Sequence, residues 1–145
     1  MKDARSQHEG MSDFRKLKVW RKAHALALAV HRTASGIRGQ SNAALRTQMV
    51  RAAMSIPTNI VEGCGQESRR EFARFLRYSI NSASELHYHL IMGRDTGVIG
   101  VNDFATLVAQ TIEVRKMLNG LLRRVSASLV NVVGVAAPRS DRPDT

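Results

Sequence analysis

The sequence predicts an all-α fold, an up-and-down bundle of four helices. Three observations carry that prediction. Apolar residues recur at three- and four-residue spacing through four long stretches. No run of β-branched residues alternates with polar ones. Three prolines and ten glycines among 145 residues leave few breaks in those stretches. With 43% hydrophobic residues, a chain of this length supports one core and leaves little room for a second. The expected organisation is a flexible lead over residues 1–13, a bundle over 14–127 and a flexible tail over 128–145.

The first helix is expected from Phe14 to Ala34, opened by Ser12 or Asp13 as a cap. At 100° per residue, Leu17, Val19, Trp20, Ala23, Leu26, Ala27, Val30 and Ala34 share one face, and Arg15, Lys18, Arg21, Lys22 and Arg32 lie opposite. The second helix starts after Ser41 or Asn42 and buries Leu45, Met49, Ala52, Ala53, Ile56 and Ile60. It then meets Pro57, which lacks an amide donor and should bend the helix near Ala53. Thr58 or Asn59 is expected to satisfy the carbonyl so exposed, and Glu62 to pair with a neighbouring helix or the basic surface. These are structural roles.

The third helix has the clearest start. Ser68 followed by Glu71 reads as a capping box, in which hydroxyl and carboxylate each take an orphan amide of the first turn. Phe72, Phe75, Leu76, Ser79, Ala83, Leu86 and Leu90 form its inner stripe, and Arg70, Arg74, Arg77 and Asn81 its outer side. After the turn "DTGVIGVND", Asn102 is expected to cap a fourth helix with Phe104, Leu107, Val108, Thr111, Val114, Leu118, Leu121, Leu122 and Val125 inward. Four helices of about 20 to 28 residues with short connections make a bundle.

The chemistry-bearing residues do not assemble into an enzyme. Cys64 sits between two glycines, yet no local signature supplies the base that a nucleophilic thiol needs, so "GCGQES" reads as a tight turn. His87 and His89 point about 200° apart on a helix, and His24 and His31 stand about 10 Å apart along one, so neither pair shares a metal ion. The phosphate-cradling lysine of a P-loop is absent. No catalytic residue, metal or cofactor is expected.

One cysteine permits no internal disulfide, and no apolar run reaches the roughly 18 residues of a membrane span. The stretch "KVWRKAHALALAVHRTASG" has the outline of a secretory signal, but it begins late, contains two histidines and keeps a helical stripe. A cytoplasmic location without membrane contact is the expectation.

The formal charge is +10 and unevenly placed: residues 1–51 hold 11 Lys and Arg against three acids, residues 52–100 five of each. Such asymmetry suggests a polyanionic partner. Arg15, Lys18, Arg21 and Lys22 on the first helix, with Arg70, Arg74 and Arg77 on the third, are the candidate phosphate contacts. Aromatic residues amount to 5%, too few for a reader of single strands built on stacking, though Tyr78 and Tyr88 suit either a stack or a helix interface.

"FRKLKVWRKAHALA", "QMVRAAMSIPTNIVEG", "SRREFARFLRYSINSASELHYHL" and "VRKMLNGLLRRV" closely resemble, in order, the landmarks of the bacterial four-helix-bundle proteins once called S23 ribosomal proteins, encoded in intervening sequences of 23S rRNA genes. The likeness spans about residues 14–125. A related branch is the accessory variability determinant of diversity-generating retroelements, a basic homopentamer that binds nucleic acid and a reverse transcriptase. The resemblance implies a bundle, self-association into a pentameric ring and no catalysis. The chain departs from the pattern at Gln66, where members often carry arginine, and at Asn81-Ser82, where they carry Gly-Ser.

The functional expectation is therefore a non-enzymatic, oligomeric, nucleic-acid-binding protein, RNA being the first candidate, with phosphate contacts and weak sequence selectivity. The alternative is an adaptor that docks a reverse transcriptase or a ribosomal component.

Overall fold

In the computed structural model, residues 13–133 are described, with side chains through residue 129. They form four helices: α1 (Lys18–Ser35), α2 (Ala43–Cys64), α3 (Arg69–Asp95) and α4 (Val101–Val133). Two 3-10 turns, Phe14–Lys16 and Gln40–Asn42, precede α1 and α2. Strands are absent among the described residues. α1 packs on α2 and α4, and α3 packs on the same two, so α1 and α3 are diagonal partners. Order around the bundle follows order along the chain. Leu26, Met49, Ile56, Ile60, Leu76, Leu86, Leu90 and Leu118 are fully buried between the helices, and each such side chain stabilises the fold by about 1.5–3 kcal/mol.

Two starts differ from expectation. The first helix begins at Lys18, because Asp13 caps the 3-10 turn by accepting from the Arg15 amide (3.2 Å), and the chain is extended at Leu17. Phe14 folds back against Trp20 at 4.9 Å between ring centroids, and that packing sets the entry angle as a hydrophobic staple does. Asn102 is not the cap of α4 but lies inside its first turn, since α4 opens at Val101 and the Phe104 amide already bonds the Gly100 carbonyl. α4 also continues to Val133, past the expected end at 127, so 128–133 is helix rather than tail. The helices span 18 to 33 residues, a wider range than periodicity implied. Residues 1–12 and 134–145, the rest of the expected lead and tail, lie outside the described residues.

The Ser68 box is half formed. Ser68 Oγ accepts from the Glu71 amide (3.1 Å), but the Glu71 carboxylate turns away to Arg74 (2.7 Å). A charged partner one turn on outcompetes the neutral amide. α2 runs unbroken through Pro57. Thr58 and Asn59 donate not to Ala53 but to the next two carbonyls, Met54 (2.7 Å) and Ser55 (2.8 Å). Glu62 is exposed and makes no ion pair among the described residues, contrary to expectation.

Small residues let α2 and α3 approach closely. Asn59 Nδ2 donates to Ser55 Oγ (3.0 Å), Ser55 Oγ lies 2.8 Å from Ser82 Oγ, and Ser82 donates to the Tyr78 carbonyl (3.0 Å). Since the Ser82 proton is used on Tyr78, Ser55 must donate to Ser82, and the chain has one direction. Ser79 donates to the Ile56 carbonyl across the same seam (2.7 Å). The α3–α4 turn is held by the Gly93 carbonyl, which accepts from Val98 (2.9 Å) and Ile99 (3.0 Å), while Ile99 sits directly over Gly93.

Candidate nucleic-acid interface

At 100° per residue, the buried positions of α1 fix where its cations point. Arg21 and Arg32 face straight away from the core. Lys18 and Lys22 lean toward α4, where Lys22 Nζ lies 3.3 Å from Glu113 Oε1. His24 and His31 lean toward α2, and the His24 ring stacks on Trp20 at 5.1 Å. Arg15 is held by Asp13 at 3.1 Å, an arrangement that lowers the Asp13 carboxyl below its ordinary range through that hydrogen bond.

Arg70, Arg74 and Arg77 are exposed on the outer face of α3. Arg74 pairs with Glu71 and lies over the rings of Phe75 (5.3 Å) and Tyr78 (5.8 Å). Because α1 and α3 are diagonal, their outer faces look in opposite directions. The two expected rows of cations therefore do not join into one surface. Lys18, Arg21, Arg70 and Arg77 make no ion pair among the described residues.

Neighbour order assembles a different surface. The second half of α4 runs beside the start of α1, and Lys18, Lys116 and Arg124 rim a groove of about 450 Å³ floored by Leu17, Met117 and Leu121. The first half of α2 runs beside the end of α1, and His31, Arg46 and Arg51 line a second groove of about 310 Å³. No acidic residue occurs between residues 14 and 61, nor between 114 and 133. The wall formed by α1 and its two flanks is thus cationic from end to end, with Glu113 at its margin. Of the eight acidic residues within 13–133, five fall elsewhere, at Glu62, Glu67, Glu71, Glu85 and Asp95.

Sequence reasoning missed Arg46, Arg51, Lys116 and Arg124. A signal was available in those two long stretches without an acid, but only neighbour order shows that they adjoin. The remaining chemistry is quiet. Burial pushes the Cys64 thiol up to about 11, which keeps it protonated and unreactive near neutrality. His89 bonds Glu85 (3.3 Å), and no cluster able to hold a metal exists among the described residues.

A family model described as 23S rRNA-intervening sequence protein matches residues 15–120. The chain belongs to that family. The matched span of this 23S rRNA-intervening sequence protein covers α1, α2, α3 and most of α4, and Arg124 lies just beyond it. A similar solved structure is a protein of unknown function from the S23 ribosomal protein family of Bacteroides thetaiotaomicron. It shares 23% identity over 72% of this chain and 97% of its own, with a TM-score of 0.68, a likeness that shows the fold. A comparison with curated proteins finds no match.

Proposed function

We propose that this 23S rRNA-intervening sequence protein binds nucleic acid, RNA in the first instance, through phosphate contacts along the α1-centred wall. The carrying observation is the acid-free pairing of α1 with the basic halves of α2 and α4. Exposed Lys and Arg spaced along one wall match a phosphate backbone, and each neutralised phosphate releases counterions. Trp20, the aromatic residue nearest the wall, is half-buried and already stacked on His24, so base readout is weak and selectivity low. The α3 row is a second, separate patch of the same chemistry. The protein acts without catalysis and in the cytoplasm; among the described residues no helix is long and apolar enough to cross a membrane.

Self-association, as a ring of five in the resemblance noted above, would repeat both patches and raise avidity without new contacts. The test is a salt titration of RNA and DNA binding. With about five phosphates neutralised per site, log affinity falls with log salt at a slope near −4.5. A flat titration overturns the reading.

A specific observation favours a second reading, the adaptor. Tyr78, Tyr88 and Met92 are exposed on the outer face of α3, away from the α1 wall. Aromatic and methionine side chains are enriched where proteins meet, so this face suits another subunit, a reverse transcriptase or a ribosomal component. A complex of purified components that survives nuclease treatment would support it; one that dissolves would not.

A further inference from the structure

We infer that the groove between the end of α1 and the start of α2 is a site for a phosphate monoester, the group carried by a nucleotide or by the end of a nucleic-acid strand. This deepens the nucleic-acid reading and rests on it for the strand source only. The groove of about 310 Å³ is lined by His31, Ala34, Ser35, Arg46, Thr47, Val50 and Arg51, so its donors are two guanidiniums, an imidazole and a threonine hydroxyl.

Arg46 is half-buried, and its Nη1 donates to the Ile37 carbonyl (3.0 Å). That bond fixes the guanidinium plane and leaves its other N–H groups for a ligand. Ser35 contributes no donor, because its hydroxyl is committed to the His31 carbonyl (2.8 Å). Helix dipoles do not decide the matter here. The groove joins the negative end of α1 to the positive end of α2, and the two oppose each other. The side chains carry the site.

Monoester and diester differ in what they ask of such a site. A terminal phosphate has a charge of about −1.5 to −2 near neutrality and three acceptor oxygens. An internal diester has one charge and two free oxygens, which the exposed lysines of the wall serve adequately. Two arginines and an imidazole lining one groove suit the first. The position agrees, since the groove lies at the end of the cationic wall, beside the turn joining α1 and α2.

The test is calorimetry on the full chain with adenosine 5′-monophosphate, adenosine as control, and a short RNA bearing either a 5′-phosphate or a 5′-hydroxyl. The monophosphate should bind and adenosine should not. Arg51→Gln, at an exposed position, should weaken the monophosphate about tenfold or more, as loss of a charge-assisted bond implies. Thr47→Val should weaken it a few-fold. Arg46→Gln also removes the bond to Ile37 and is therefore a poorer probe.

A preference for the 5′-phosphorylated RNA that disappears in Arg51→Gln identifies the strand end as the source. Monophosphate binding without that preference identifies the free nucleotide. Equal behaviour of monophosphate and adenosine, or full monophosphate affinity in both variants, overturns the site. A flat salt titration of RNA together with intact monophosphate binding would sink the nucleic-acid reading and leave the groove standing.

Discussion

A Cβ added at Gly63 would lie 2.8 Å from Phe72 Cδ2 and 3.1 Å from Phe75 Cβ. Phe72 is buried and has no room to retreat. Gly63→Ala should therefore destabilise the fold by about 1–2 kcal/mol, overpacking exceeding the gain in helix propensity, and a urea midpoint measures it. Cys64, beside it, reports the same seam. Its thiol is raised from 9.0 to about 11 by burial, so the folded state holds the neutral form. The stabilisation this brings is present below about 9 and is lost as pH rises toward 11. Thiol alkylation of the native protein should stay slow at pH 9 and accelerate only near 11, whereas urea-unfolded protein reacts readily at pH 9. The sequence suggested both residues for a turn, and both instead lie in the last turn of α2, where the Phe72 ring leaves no room for a Cβ at position 63.

The starts of α2 and α3 were legible almost to the residue, because Ser68 supplies a real cap and apolar spacing is regular. The start of α1 was not, since a contact between Phe14 and Trp20 overrides local propensity at Leu17. Likewise the reciprocal half of the Ser68 box yields to an ion pair that only side-chain geometry reveals. Asn59 was legible as structural but not in its task, which is to begin the polar chain through Ser55 and Ser82 to Tyr78. Asn59→Ala should cost about 1–3 kcal/mol by leaving that chain without its first donor, as seen in a denaturant melt. Pro57→Ala returns an amide to α2 and should alter helix shape. The expected result is a changed oligomer distribution by size-exclusion with light scattering, with the salt slope of RNA binding preserved; an unchanged distribution would count against it.

At the scale of the molecule, the electrostatic field belongs to the arrangement rather than to any helix. Charge asymmetry along the chain was legible, but the wall was not, because its cations come from three helices, one of which, α4, is far from the other two in sequence. Glu113→Gln tests the field directly. The pair with Lys22 is about half exposed on both sides, so stability should change by less than about 1 kcal/mol. RNA affinity should rise and the salt slope steepen by about 0.9, one further lysine becoming available to a phosphate. Neighbour order bears on kinetics as well. Each packed pair of helices among the described residues is consecutive in the chain, save α1 with α4. Loop closure entropy is thus small for three of the four seams and large for the last. Low contact order of this kind predicts refolding in microseconds to milliseconds, with the hairpins forming early and the cationic wall completed only when α1 meets α4.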